Sequence, residues 1–355
     1  MSNILDYLQW RGDLPLTAAP FCGVDGLILS QLSMLRWENA LAPGQTATPR
    51  ELLEPMKRQP VSVGFTTDND LKLLTLAAGS ERFGTLPLAD YVHDLDEAAE
   101  MQFAALTLRL PDGTGFVSFR GTDSSLVGWK EDCNMAFSKP APAQEAARAY
   151  LQRVAANFPG GVRVGGHSKG GNLAMYAAAT ADEATRARVL AVYNNDGPGL
   201  SDRMDAQALY ERITGRLHSY VPQGSIVGML LSHPDEYIVV KSRSVGIMQH
   251  DPYSWQVLGP DFVRVPALNR DSARFDATFR KWLAGVDEAD RAVLIDTVFN
   301  VFSATRSRNF GREFWAGLAR NPGAVLAAIQ GVDPADRKRI ARMLGDLGAM
   351  AIKGQ

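Results

Sequence analysis

Ser168 is the residue whose neighbours best equip it for chemistry. It stands in Val162-Arg163-Val164-Gly165-Gly166-His167-Ser168-Lys169-Gly170-Gly171-Asn172-Leu173-Ala174, where a β-branched run breaks at glycines and gives way to an alanine-rich helical run. A serine hydroxyl is a poor nucleophile unless a sharp strand-to-helix turn presents it beside a base and beside backbone N–H donors for an oxyanion. Gly166 and Gly170 flank it as such a turn requires, because side chains there would collide with the facing strand or helix. An ordinary glycine-rich turn is the plain alternative; a phosphate loop is disfavoured because the G-x-x-x-x-G-K-[ST] spacing is missing.

The next residue supports the catalytic reading. Lys169 opens the helix, where the macrodipole disfavours a cation by roughly a few tenths of a kcal/mol, and a residue set against a local preference points to function. Its backbone N–H follows the nucleophile and is one candidate oxyanion donor. Its ammonium either attracts an anionic substrate group or turns away into solvent. The second donor should come from a loop after an earlier strand, and Phe119-Arg120-Gly121-Thr122-Asp123 occupies that place. Gly121 allows close backbone approach, and Thr122 offers an N–H and a hydroxyl.

A serine nucleophile needs a histidine base, and the chain has five: His93, His167, His218, His233 and His250. The last two alone come late enough for the chain order serine, acid, histidine while lying outside a predicted strand. His250, in Gly246-Ile247-Met248-Gln249-His250-Asp251-Pro252-Tyr253-Ser254-Trp255, follows the last predicted strand and is the expected base, with His233 in reserve. His167 is expected to point elsewhere and pack. For the acid, Asp196 in Tyr193-Asn194-Asn195-Asp196-Gly197-Pro198-Gly199 closes the strand after the nucleophile helix, at the same sheet edge as Ser168. An acid must be held near the histidine N–H to fix its tautomer. Asn-Asp-Gly-Pro is also strong turn chemistry in its own right.

The elements that would position these groups alternate. A hairpin is expected from Phe103–Leu110, a turn at 111–114 and Gly115–Arg120. Then come a loop at 121–142, a helix over Ala143–Asn157, a strand at Val162–Gly165, a helix at Gly171–Ala181, a strand at Val189–Asn194, a helix at Ala206–Thr214 and strands at Leu217–Val221 and Tyr237–Lys241. This alternation predicts an α/β fold with a largely parallel sheet flanked by helices. Earlier in the chain, helices are expected at Asp25–Trp37, Leu71–Ala78 and Leu95–Gln102, with a connection over Pro43–Pro60. Beyond residue 270 the periodicity is helical, over Phe275–Val286, Asp287–Ser307 and Ala335–Ile352. The division expected is a domain over 1–269 and a helical C-terminal region over 270–355. Asp287 and Asp333 each read as an N-cap, the latter with Pro334 at the first helical position.

Composition narrows the classes. At 355 residues with 46% hydrophobic and 21% charged content, the chain reads as a globular protein with a substantial core. A net charge of -2 gives no electrostatic footprint for nucleic acid. Two cysteines, Cys22 and Cys133, carry no paired spacing for a disulfide framework or zinc, which suits a cytoplasmic location, and no apolar run is long enough to span a bilayer.

Taken in order, Phe119-Arg120-Gly121-Thr122, then Trp129 and Asp132, then Gly166-His167-Ser168-Lys169-Gly170-Gly171 resemble the F-R-G-[ST], W-x-x-D and G-H-S-x-G-G pattern of the class 3 triacylglycerol lipases. The chain looks closest to the uncharacterised bacterial lipase-like proteins grouped beside them. The resemblance covers roughly residues 100 to 255. It implies an α/β-hydrolase fold, Ser168 as nucleophile, Thr122 and the Lys169 N–H as oxyanion hole, and a late histidine matching His250. Trp129 and Asp132 would order the loop that in lipases precedes or forms a lid. The lipases carry their acid in a D-x-V-P motif, and here the similar stretch is Gly224-Ser225-Ile226-Val227-Gly228, with Ser225 where the aspartate would be. Either Asp196 supplies the carboxylate from the neighbouring strand end, or the site runs as a dyad or is impaired.

The expected function is therefore a serine hydrolase of esterase or lipase type acting on a small-molecule ester or acyl substrate, without metal or organic cofactor. A thioesterase or acyltransferase on the same residues, and a catalytically silent binding module on the same fold, stand as alternatives.

Overall fold

The runs Met101–Arg109, Gly115–Phe119, Val162–His167 and Val189–Asn195 are buried along nearly their whole length, as strands are when both faces of their sheet are covered. In the computed structural model, which describes residues 2–59, 61–62, 67–96, 98–122, 140–201, 204–234, 236–269, 333–339 and 341–342, these runs are strands β2 to β5 of a seven-stranded sheet. Leu88–Asp96 is β1, Leu217–Pro222 is β6 and Ile238–Val240 is β7, so that spatial order follows chain order. β1, β2 and β3 pair antiparallel, and β3 through β7 are parallel. A small antiparallel ribbon, β8 (Val257–Leu258) with β9 (Asp261–Phe262), follows.

Side-chain alternation divides the interior into two cores. Leu106, Leu108, Phe116, Ala191 and Tyr193 face one side, closed over by helices α1 (Ile4–Arg11), α2 (Gly23–Leu32), α3 (Pro49–Lys57) and α4 (Thr67–Gly79). Phe103, Ala105, Val117, Phe119, Val162, Val164 and Val192 face the other, packed under α5 (Pro142–Ala155), α6 (Lys169–Thr180) and, beyond the short α7 (Glu183–Arg188), α8 (Ala206–Glu211). This is an α/β-hydrolase-like architecture: a mostly parallel sheet with helices on both faces. No helix among the described residues is long and apolar enough to cross a membrane.

The first hundred residues depart from expectation. Leu95–Gln102 is not a helix: residues up to Asp96 belong to edge strand β1, a turn occupies 98–100, and β2 starts at Met101. The outer half of β1 is exposed, so it carries acidic residues that mimic a helical surface. The segment 43–60, expected as a connection, contains α3. Thr48 and Glu51 cap it reciprocally and Pro49 occupies its first turn, where a missing N–H costs nothing. The helix expected at Asp25–Trp37 runs from Gly23 to Leu32 instead. Of the C-terminal helices, Phe275–Val286 and Asp287–Ser307 lie outside the described residues. Residues 334–339 are helical, with the Asp333 carboxylate accepting from the Ala335 N–H at 2.8 Å.

Two sets of long-range ties fix the N-terminal helices to distant connections. The Arg82 guanidinium forks onto Asp25 of α2 at 2.8 and 2.5 Å, both side chains fully buried, and the Tyr7 hydroxyl of α1 donates to the same carboxylate at 2.7 Å. The Asn3 amide donates to the Tyr253 carbonyl at 2.9 Å, and the Val257 N–H donates to the Ser2 carbonyl at 2.9 Å. Removing one partner of a buried ion pair leaves an uncompensated charge, which costs about 3–5 kcal/mol. Arg82→Met is therefore expected to lower unfolding free energy by about that amount in urea titration; a loss near that of a surface substitution would contradict a structural role for the pair.

Candidate active site

Ser168 lies in the one-residue break between β4 and α6, with φ 58° and ψ -131°. For a non-glycine residue this conformation costs about 1–3 kcal/mol and persists only where surrounding structure imposes it. The imposition is visible on both sides. A Cβ on Gly170 would sit 2.2 Å from the Phe119 carbonyl oxygen, and one on Gly166 would sit 2.1 Å from the Gly170 carbonyl carbon. The Ser168 N–H donates to the Asn195 carbonyl at 3.0 Å, so the turn is also tied to the end of β5. Ser168 itself is half-buried, presented at the C-terminal edge of the parallel strands.

Asp196 follows directly from β5 and is fully buried in a left-handed conformation, φ 52°, which Asp tolerates better than most residues. Its Oδ2 meets His250 Nδ1 at 2.7 Å. Its Oδ1 accepts from the Ser225 hydroxyl at 2.5 Å and from the Gly228 N–H at 3.2 Å. Ser225 thus stands against Asp196 as a hydrogen-bond donor. The loop after Asp196 is pinned to the first turn of α6, since Asn172 Nδ2 donates to the Gly199 carbonyl at 2.7 Å while its Oδ1 accepts from Gln144 of α5 at 2.8 Å.

His250 ends the short turn Gly246–His250 after β7. Its neighbours are anchored: the Gly224 N–H donates to Gln249 Oε1 at 3.0 Å, and Trp255 Nε1 donates to the Gln249 carbonyl at 2.9 Å. With Nδ1 on Asp196, Nε2 is the other ring nitrogen of His250. Ser168 Oγ and His250 are not hydrogen-bonded to each other among the described residues; catalytic hydrogen bonds are often long in unliganded enzymes and tighten with substrate.

Pairing of β3 with β4 sets Phe119 beside Gly166, so residues 120–122 leave the sheet alongside the Ser168 turn. A Cβ on Gly121 would lie 2.8 Å from the His167 carbonyl oxygen and 3.5 Å from Ser168 Cβ. Thr122 follows, half-buried. As first residue of α6, Lys169 has no carbonyl four residues back within the helix for its N–H. Its side chain, however, corrects both readings made from sequence. The ammonium is buried, 1% exposed, and donates to the Gln102 carbonyl at 2.7 Å and Gln102 Oε1 at 2.8 Å. It neither faces substrate nor reaches solvent: the first turn of α6 lies inside the sheet–helix layer, and β2 supplies the acceptors that a buried cation demands.

His167 also departs from expectation, for it does not pack apart from the site. Its Nε2 lies 2.9 Å from the His250 carbonyl oxygen, and the two imidazoles stack at 4.6 Å between centroids, 30° apart. Neither this contact nor the Ser225 bond was readable from local pattern, because each joins loops far apart in sequence. His233, the reserve base, meets the Tyr237 ring and the Pro234 carbonyl. His218 stacks on Tyr193. Asp123, Trp129, Asp132, Cys133 and Asp235 lie outside the described residues. A cavity of about 580 Å³, lined by the first half of β6 with His218, by 236–239 and by Pro266–Leu268, contains none of Ser168, Asp196 and His250. Among the described residues, no three His, Cys, Asp or Glu side chains are grouped to hold a metal.

A family model described as Mbeg1-like matches residues 77–300, more than half of the chain. No curated protein matches. Among solved structures, a mutant form of MDLA from Penicillium cyclopium is similar with a TM-score of 0.42 at 13% identity, covering 67% of this chain and 82% of that one. The Rhizomucor miehei lipase propeptide complex is similar with a TM-score of 0.39 at 17% identity, covering 66% and 78%.

Burial pushes the His167 imidazole well below its ordinary range, and charge on His250 pushes the same way; the hydrogen bond to the His250 backbone opposes them. In the unfolded chain this imidazole titrates near its ordinary value of about 6.5. The unfolded state therefore binds the extra proton first, so the contribution of His167 is fully favourable above that value and is lost as pH falls toward the folded one. His167→Gln removes the titration. Between about pH 7 and pH 5 the variant should lose less unfolding free energy than the wild type, and parallel profiles would contradict a depressed imidazole.

Proposed function

The chain belongs to the Mbeg1-like family, a lipase-like family of the α/β-hydrolase fold, and from that premise we propose that it is a serine hydrolase cleaving carboxylic esters through an acyl-enzyme. The observation that carries the reading is the strained Ser168 turn at the strand edge where His250 and Asp196 meet at 2.7 Å. In the proposed mechanism Ser168 Oγ attacks the ester carbonyl carbon while its proton passes to His250 Nε2. Asp196 keeps the imidazole in the tautomer that offers Nε2 as acceptor, and its charge stabilises the imidazolium that forms. The carbonyl oxygen, now an oxyanion, meets the N–H groups of Lys169 and Thr122. The imidazolium returns its proton to the departing alkoxide. Water then attacks the acyl-serine by the same route and releases the acid and the free hydroxyl.

The acid comes from the end of β5 rather than from the position of Ser225. Support for this lies in the burial of Asp196 and in its two other donors, which leave Oδ2 for His250. Activity on simple esters against acyl-CoA thioesters distinguishes an esterase from a thioesterase using the same groups.

Wild-type protein should react with a fluorophosphonate probe at Ser168, and Ser168→Ala should abolish labelling while the fold is retained. Undiminished labelling of the alanine variant would overturn the nucleophile. Asp196→Asn should slow ester turnover by roughly three to four orders of magnitude, because the amide favours the wrong tautomer; turnover near the wild-type rate would leave a Ser168 and His250 dyad.

A further inference from the structure

We infer that His167 is a positioning residue for the base, holding the backbone of His250 in register with the nucleophile through a hydrogen bond from its Nε2 to the His250 carbonyl; this rests on the serine-hydrolase reading above. The contact is 2.9 Å. A carbonyl oxygen can only accept, so His167 is the donor and carries its proton on Nε2. Burial, which disfavours the charged imidazole, agrees with a neutral ring in that tautomer.

The need for such a hold follows from how the base arrives. His250 ends a short turn whose outer side is uncovered, with Val245 80% and Met248 64% exposed. Asp196 fixes one ring nitrogen, but a ring held at Nδ1 alone still swings about that point as its Cα moves. Holding the carbonyl of the same residue supplies the second point. The group that does so is the last residue of β4 and the immediate neighbour of Ser168. Nucleophile and base are thus located from the same stretch of backbone, and displacement of one relative to the other is limited by this side chain together with Asp196. A misplacement of about 1 Å costs on the order of 100-fold in rate.

Three substitutions separate the hydrogen bond from the stacked ring. His167→Gln keeps an N–H at similar reach and loses the ring. His167→Phe keeps a ring and loses the donor. His167→Met, close to histidine in volume, loses both. Fluorophosphonate inactivation rates and kcat and KM on p-nitrophenyl butyrate are measured for each, with circular dichroism to verify folding. The glutamine variant should stay within about 5-fold of wild type, whereas kcat of the phenylalanine and methionine variants should fall about 10- to 100-fold with KM little changed. If overpacking prevents the phenylalanine variant from folding, the methionine variant decides. Wild-type kcat in either donor-less variant, or a glutamine variant as slow as methionine, would overturn the positioning role while labelling of wild-type Ser168 kept the hydrolase reading intact. A wild-type protein inert to the probe would overturn both.

Discussion

A carboxylate wholly removed from water stays in a folded protein only if its oxygens are given donors, since an unpaired buried charge costs several kcal/mol. Asp196 is such a group, and its three donors come from two different connections. Ser225 and the Gly228 N–H arrive after β6, and His250 arrives after β7. Satisfying one carboxylate therefore gathers the loops at the C-terminal edge of the sheet. The same requirement explains why Gly228 must approach so closely: a Cβ there would lie 2.3 Å from Asp196 Oδ1.

Around that group the parallel strands act as a ruler. β4 ends in the Ser168 turn and β5 ends in Asp196, adjacent in the sheet. The tie from the Ser168 N–H to the Asn195 carbonyl fixes their relative height. The loop at 120–122 leaves β3 on the other side of β4. Sheet order alone accounts for Ser168, Asp196 and the 120–122 loop lying side by side. What it does not supply is the histidine, which comes from a turn stabilised by its own neighbours, Gln249 and Trp255.

The parts of this arrangement that follow local rules were legible in the sequence. The glycine-flanked break after Val162–Gly165, the hairpin turn at 111–114 and the alternation of strand and helix from 100 to 240 all carry their signal within a few residues. The juxtaposition of Asp196 and His250 follows from topology once that alternation is accepted. Where the reading failed, tertiary pairing overrode local preference. β1 bears acidic residues because its outer half is an exposed edge, so the string Leu95-Asp96-Glu97-Ala98-Ala99-Glu100 imitates a helix. Lys169 looked like a substrate-facing or a solvated charge because nothing nearby announces that Gln102, 67 residues back, will receive it. His167 looked like packing for the same reason, its partner lying 83 residues on.

The bonds from Asn3 to Tyr253 and from Ser2 to Val257 reach across 250 and 255 residues of chain. They fasten the segment immediately after His250 to the first helix. During synthesis Ser168, with its strand, turn and helix, leaves the ribosome well before residues 250–257, so the strained turn exists for a time without the imidazole that later meets Asp196. Long-range closure of this kind is also slow to nucleate, because the entropy of the intervening loop must be overcome before the contact is gained. Closure of the loops around Asp196 is thereby placed late in folding, and a chain ended before residue 250 lacks the imidazole that meets this carboxylate.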